Sequence, residues 1–144
     1  MDLSVRVRGL RSNRKPLALA RGSITEGQQT TPGANVGDPA FVLEVPAAQY
    51  RREYTFVVPA TYTASFLHVV TRGRVGYRLD GQTRFATATE VTGTPWVVYR
   101  QRIDPGSHRV ESLNGEALGL KVIGVAAYTS YAYPGGLDLQ SVRP

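Results

Sequence analysis

Apolar residues in this chain recur at every second position in short runs, and turn-forming residues separate the runs. Leu3, Val5 and Val7 alternate with Ser4, Arg6 and Arg8. On an extended backbone that spacing puts three apolar side chains on one face and the polar ones on the other. Extended patterns return at Leu17–Arg21, Phe41–Val45, Tyr54–Val58, Ser65–Val70, Trp96–Arg102, His108–Leu113 and Leu118–Tyr128. Helical periodicity is almost missing, and only Ala47–Glu53 suits a short helical turn. The sharpest local signal is Asp80-Gly81 between Arg74–Leu79 and Gln82–Thr87. Asp-Gly fits a two-residue type I′ hairpin, whose central residues both need positive φ. About nine strands at such spacing predict an all-β fold with little or no helix, an antiparallel β-sandwich of jelly-roll or immunoglobulin-like form. Leu118–Tyr128 is the most apolar stretch and is expected to be the central strand; Gly119 and Gly124 argue against a helix there.

A length of 144 residues suits a single domain spanning 1–144. With 42% apolar and 19% charged residues, the composition excludes intrinsic disorder. Charge or glycine interrupts every apolar stretch well short of the roughly 18 residues that a spanning helix needs, so no membrane insertion is expected. No signal-peptide pattern begins at Met1. Cysteine is absent, which removes disulfide scaffolds, Cys-ligated zinc, iron–sulfur clusters and thiol catalysis together. Residues 22–40 are rich in Gly, Thr, Gln, Asn and Pro and read as a long surface loop, itself a candidate site.

The formal net charge of +6 is concentrated near the N-terminus. Residues 1–22 hold Arg6, Arg8, Arg11, Arg14, Lys15 and Arg21 against Asp2 alone, and the rest of the chain is almost neutral. A clustered basic stripe is the footprint expected of a polyanion binder. Arg6 and Arg8 share the solvated face of an alternating strand, however, and charge on such a face also protects an edge from aggregation. A surface or assembly contact therefore explains the stripe better than nucleic acid does. Arg6, Arg8, Arg11 and Arg14 remain candidate partner-binding residues.

The catalytic inventory is thin. His68 lies in the apolar run Phe66–Val70 and reads as a structural or surface histidine. Asp104, Ser107 and His108 are close in sequence, but successive strand side chains point to opposite faces, and a nucleophilic triad also needs an oxyanion hole. Two separated histidines, without a carboxylate or His partner at ligand spacing, make no metal site. No phosphate-binding glycine pattern precedes a helix. The chain reads as non-enzymatic, with no catalytic residues, no metal and no cofactor.

The tyrosines say more. Tyr128, Tyr131 and Tyr133 fall within six residues, and Tyr131 and Tyr133 share a face of an extended backbone. They can present a flat platform to a sugar or a protein partner. The alternative is that they pack on the end of the sandwich and hydrogen-bond the backbone.

The segment Val122–Leu137, ending Tyr131-Ala-Tyr-Pro-Gly-Gly136, resembles the closing part of the bacterial IgGFc-binding-protein N-terminal domain family. Gly106-Ser-His108 matches the turn that precedes it there. Gly9–Leu19 resembles an earlier strand pair of that family, and Val45–Pro59 its Pro-flanked aromatic segment. The three stretches occur in the family's order, and the tyrosine-rich closing element is the most specific. The resemblance implies a β-rich module of secreted or cell-surface proteins, acting in adhesion or assembly, with no catalytic residue to carry over. It implies that the chain matches the latter part of the family domain, although the 22–40 loop lacks cysteines that many members have. A sheet entered part-way would leave a strand edge open. The expected partners are thus further copies in a homo-oligomer or another surface protein, or alternatively a carbohydrate or polyanion.

Overall fold

The computed structural model describes residues 19–23, 40–85 and 87–138. The expected strand at Leu3–Arg8 and most of the 22–40 loop lie outside the described residues. Within them the chain forms eleven strands and one 3-10 turn. The strands are β1 (Leu19–Ser23), β2 (Ala40–Glu44), β3 (Glu53–Val58), β4 (Ala64–Arg72), β5 (Tyr77–Leu79), β6 (Gln82–Arg84), β7 (Thr87–Glu90), β8 (Trp96–Ile103), β9 (Gly106–Ser112), β10 (Gly119–Ala126) and β11 (Thr129–Pro134). The short turn is Ala47–Gln49.

A five-stranded sheet of order β11-β10-β4-β8-β7 packs on a four-stranded sheet of order β3-β9-β5-β6. Every pairing is antiparallel. The protein is an all-β sandwich. β3 shows why: Tyr54, Phe56 and Val58 are buried while Glu53, Thr55 and Val57 are exposed, the alternation of a strand with one face on a core. Those three meet Leu67 and Val69 of β4, Val97 and Tyr99 of β8, Leu120 and Val122 of β10, and Tyr77, Leu79 and Val110 from β5 and β9. Burying a Val, Leu or aromatic side chain contributes about 1.5–3 kcal/mol each, so this cluster supplies the main driving force.

Polar atoms inside the core are partly accommodated. The Tyr99 hydroxyl accepts the Gly76 amide at 2.9 Å, and the two rings Tyr77 and Tyr99 meet edge-on at 5.6 Å. The fully buried Tyr77 hydroxyl has no hydrogen-bond partner among the described residues, and burial raises its pKa.

The Asp80-Gly81 hairpin forms as the sequence predicts, with φ of 50° and 80°, joining β5 to β6. Its strands are shorter than expected, because the chain leaves the small sheet after Arg84 and enters the large one as β7. The strand count thus rises from about nine to eleven. The central strand also differs from expectation: β4 occupies the middle of the five-stranded sheet, and β10 lies next to its edge. β10 is apolar for another reason. Its outer face is covered as well, with Val125 only 3% exposed.

β2 contributes to the cover on that outer face, and among the described residues β1 and β2 pair only with each other. β2 lies against β11. Its Val42 is buried, and Glu44 forms an ion pair with Lys121 of β10. Lys121 alternates with the core residues Leu120 and Val122 and so points away from the sandwich interior. The β1–β2 ribbon is therefore a partial third layer outside the large sheet.

Candidate functional site

Tyr131 and Tyr133 share a face as their spacing predicts, and they pack on the seam between the two sheets, the alternative to an open platform. Tyr131 and Tyr133 occupy alternate positions on β11, the edge strand of the large sheet, with their side chains on the core side. Their rings are stacked, 5.8 Å apart and tilted by 16°. Tyr131 pairs with Gly124, and Gly124 pairs in turn with Ser65. Gly124 has no side chain, so the Tyr131 ring lies across it and reaches the Ser65 hydroxyl at 3.0 Å. A β-carbon on Gly124 would come within 1.9 Å of that ring. Tyr62, in the β3–β4 connection, closes the outer side of Tyr131 edge-on at 4.4 Å.

Tyr133 completes the seam by crossing from one sheet to the other. Its hydroxyl donates to the Val57 carbonyl of β3 at 2.6 Å, and β3 is the edge strand of the small sheet. Pro134-Gly-Gly136 then carries the backbone over Tyr54 and Leu120, so closely that a β-carbon on Gly135 would meet Leu120 at 2.4 Å. The Asp138 amide donates to the Gln49 carbonyl at 3.0 Å. The Tyr-x-Tyr-Pro-Gly-Gly segment is thus a clasp joining β11 to β3. Burial pushes the Tyr133 hydroxyl up to about 12, with neighbouring Tyr131 adding to the shift.

Tyr128 belongs to a different place. It sits 63% exposed in the two-residue β10–β11 turn, at φ 56°, rather than at the end of a long strand as expected. A non-glycine residue in the left-handed region costs about 1–2 kcal/mol. Arg6, Arg8, Arg11 and Arg14 lie outside the described residues.

In the Asp104–Ser107–His108 stretch the His108 ring turns to the Asp80 carboxylate and to the Asp104 backbone. His108 hydrogen-bonds through Nδ1 to the Asp80 carboxylate at 2.7 Å and through Nε2 to the Asp104 carbonyl at 2.8 Å. Asp80 also accepts the Arg109 amide at 2.8 Å. Slight burial raises the Asp80 pKa, but the hydrogen bonds from His108 and Arg109 outweigh it and hold the carboxyl below its usual range. Both imidazole nitrogens are engaged in tying the β5–β6 turn to the β8–β9 turn, and Ser107 is exposed one position away on β9. Among the described residues no cluster of three His, Asp or Glu side chains is arranged to hold a metal.

Two further surfaces among the described residues are exposed. The outer face of the small sheet carries a cross-strand charge ladder, with Arg109 between Glu53 at 2.7 Å and Glu111 at 3.1 Å. Exposed pairs of this kind contribute little to stability. The outward face of β2 is apolar: Phe41 is 70% exposed and Leu43 59%. Alternation in Phe41–Val45 fixes that these two share a face but not which face is buried, and Val42 takes the inner side.

The sequence profile described as IgGFc binding protein matches residues 6–124. The chain belongs to the IgGFc binding protein family. No curated protein and no solved structure matches it. The match to the IgGFc binding protein profile ends at Gly124, so it includes the glycine under Tyr131 but not the tyrosines themselves.

Two outcomes check the clasp. Gly124→Ala should destabilise the domain by about 2–4 kcal/mol in urea unfolding, and adding Tyr131→Ala should restore part of that loss, giving a non-additive cycle. Additive costs would mean that Gly124 and Tyr131 do not compete for space. The second outcome concerns pH. Tyr50 and Tyr133 are both raised from 10.0 to about 12. The unfolded chain therefore ionises first, and the stability tied to the neutral hydroxyls is full below pH 10 and lost as pH rises toward 12. The urea midpoint should fall across that window, and less steeply in Tyr133→Phe; equal slopes would contradict the assignment.

Proposed function

We propose that this domain is a non-enzymatic protein-binding module of a surface or secreted protein, working in adhesion and able to assemble with its own copies. The observation that carries this reading is the outward apolar pair Phe41 and Leu43 on a ribbon outside the sandwich body. Large apolar side chains presented together on a raised element are the usual anchors of protein contacts. Membership of a family described as an IgGFc binding protein supports protein binding as the class of activity. The engagement of His108 in a turn-to-turn bridge supports a non-enzymatic role.

A second reading has an observation of its own. The nearly parallel rings of Tyr131 and Tyr133 are half-buried and offer a flat surface on which a sugar ring can stack. Arg6, Arg8, Arg11 and Arg14, with Tyr128, extend that reading toward an anionic glycan.

Surface plasmon resonance of the purified domain over immobilised Fc fragment and mucin separates the two. Saturable binding weakened at least about thirtyfold by Phe41→Ser with Leu43→Ser is the expected result, since truncating two anchors at more than about 1 kcal/mol each sums to more than about 2 kcal/mol. Binding that survives the double change but is lost on enzymatic deglycosylation of the mucin would favour the tyrosine platform instead. Silence on both surfaces, with wild-type circular dichroism, would contradict both readings.

A further inference from the structure

The His108 ring meets, at each of its two nitrogens, a group that only accepts. Nδ1 faces the Asp80 carboxylate at 2.7 Å, and Nε2 faces the Asp104 carbonyl at 2.8 Å. A backbone carbonyl has no proton to give. Slight burial raises the Asp80 carboxyl, but hydrogen bonds from His108 and the Arg109 amide outweigh it and keep the group ionised below the usual carboxylate range. A neutral imidazole carries one N–H and one lone pair. Between two acceptors it would satisfy one and press its lone pair against the other. The imidazolium donates at both ends.

The surroundings make that choice count. His108 stands opposite Phe56 in the register of β3 and β9, and its ring packs beside the Phe56 ring at 5.7 Å. The side chain is 14% exposed, so water has little room to replace a lost partner. Among the described residues the charged groups around the ring are few. Asp80 touches it from the β5–β6 turn, and Arg84 of β6 acts on Asp80. Asp104 presents its carbonyl from the β8–β9 turn, and β3 presents the uncharged Phe56. The Arg109 guanidinium is taken up by Glu53 and Glu111.

The two ends of the bridge are unequal. Asp80 has a second hold on β9: its amide donates to the Arg109 carbonyl at 2.9 Å, and its carboxylate accepts the Arg109 amide at 2.8 Å. The β8–β9 turn crosses from the large sheet to the small one, and Asp104, Pro105 and Gly106 are all exposed. Gly106 has a φ of 134°, where a glycine moves more freely than other residues.

We propose that His108 is a proton-operated latch on the β8–β9 turn. Charged, the ring ties that turn and the Asp80-Gly81 turn together. Neutral, it keeps its proton on Nδ1, toward the stronger carboxylate acceptor, and lets the Asp104 carbonyl go. Two fixed acceptors hold the imidazolium in the folded protein, against water alone in the unfolded chain. The stability it contributes is therefore full on the acid side of the ordinary histidine range, about pH 6.5, and is lost as pH rises through and beyond it. Acid strong enough to protonate Asp80 removes the other half of the bridge. The device goes beyond the binding role proposed above and does not depend on it.

Nuclear magnetic resonance of the ¹⁵N-labelled full chain at about pH 5.5 and about pH 8.5, on either side of the histidine range, tests the latch. At the lower pH both His108 ring nitrogens should carry protons shielded from exchange. At the higher pH one proton should stay on Nδ1, and the Asp104 and Gly106 amides should exchange faster while the Asp80 amide keeps its rate. Urea unfolding gives a second readout against His108→Gln, which removes this titration and leaves His68 in place. The folding constant of wild type relative to that variant should be at least about threefold higher at the lower pH. Asp80→Asn, which keeps the acceptor's size but removes its charge, should flatten the same pH dependence. A ratio equal at both pH values, or turn amides that ignore the titration of the ring, would overturn the latch.

Discussion

Two tyrosine hydroxyls join the sheets along their open side: Tyr54 of β3 donates to the Leu118 carbonyl just before β10, and Tyr133 of β11 donates to the Val57 carbonyl of β3. Among the described residues each sheet ends there in an edge strand, β11 on one and β3 on the other, and an open edge must be covered or it will pair with another chain. Tyr133 answers on both counts. Its ring fills the gap between the layers, and its hydroxyl donates to Val57, occupying an acceptor that β3 would otherwise expose. Tyr131 braces it by stacking, and Tyr131 can lie flat only because Gly124 lacks a side chain. Remove the glycine or the rings, and the β10–β11 hairpin loses its grip on the small sheet.

This arrangement relates the two readings of the tyrosines. Both rings are half-buried, both hydroxyls are engaged inside the protein, and Tyr62 closes the outer side of Tyr131, which leaves little of the pair for a ligand. The more open apolar surface belongs to Phe41 and Leu43 on the ribbon. The proposed protein recognition therefore falls on the ribbon, and structural closure on the clasp. His108 is likewise a bridge between two turns.

Much of the fold was legible because a sandwich core imposes period-two burial on nearly every strand. β3, β8 and β9 lie within a residue or two of their predicted limits, and Asp80-Gly81 forms the expected hairpin because only a few residue pairs tolerate two positive φ angles in succession. What misled were strands whose neighbours differ from the average. β10 is the most apolar stretch because it is covered on both faces, one by the core and the other by the outer layer, and not because it is central. β7, reading Thr-Ala-Thr-Glu, is an exposed edge with too little apolar character to signal itself. The shared face of Tyr131 and Tyr133 followed from spacing alone. Their contacts with Ser65 and Val57, and the cover from Tyr62, did not, because those residues are 66 or more positions away or sit in an irregular connection.

Amide hydrogen exchange on Tyr133→Phe tests the clasp most directly, since the substitution keeps the ring and removes only the hydroxyl. Protection should fall together in β3 and β11, the two edges the hydroxyl joins, while the β4–β8 pairing on the far side keeps its wild-type rates. Loss confined to β11, with β3 unchanged, would contradict the claim that this contact holds the sheets together.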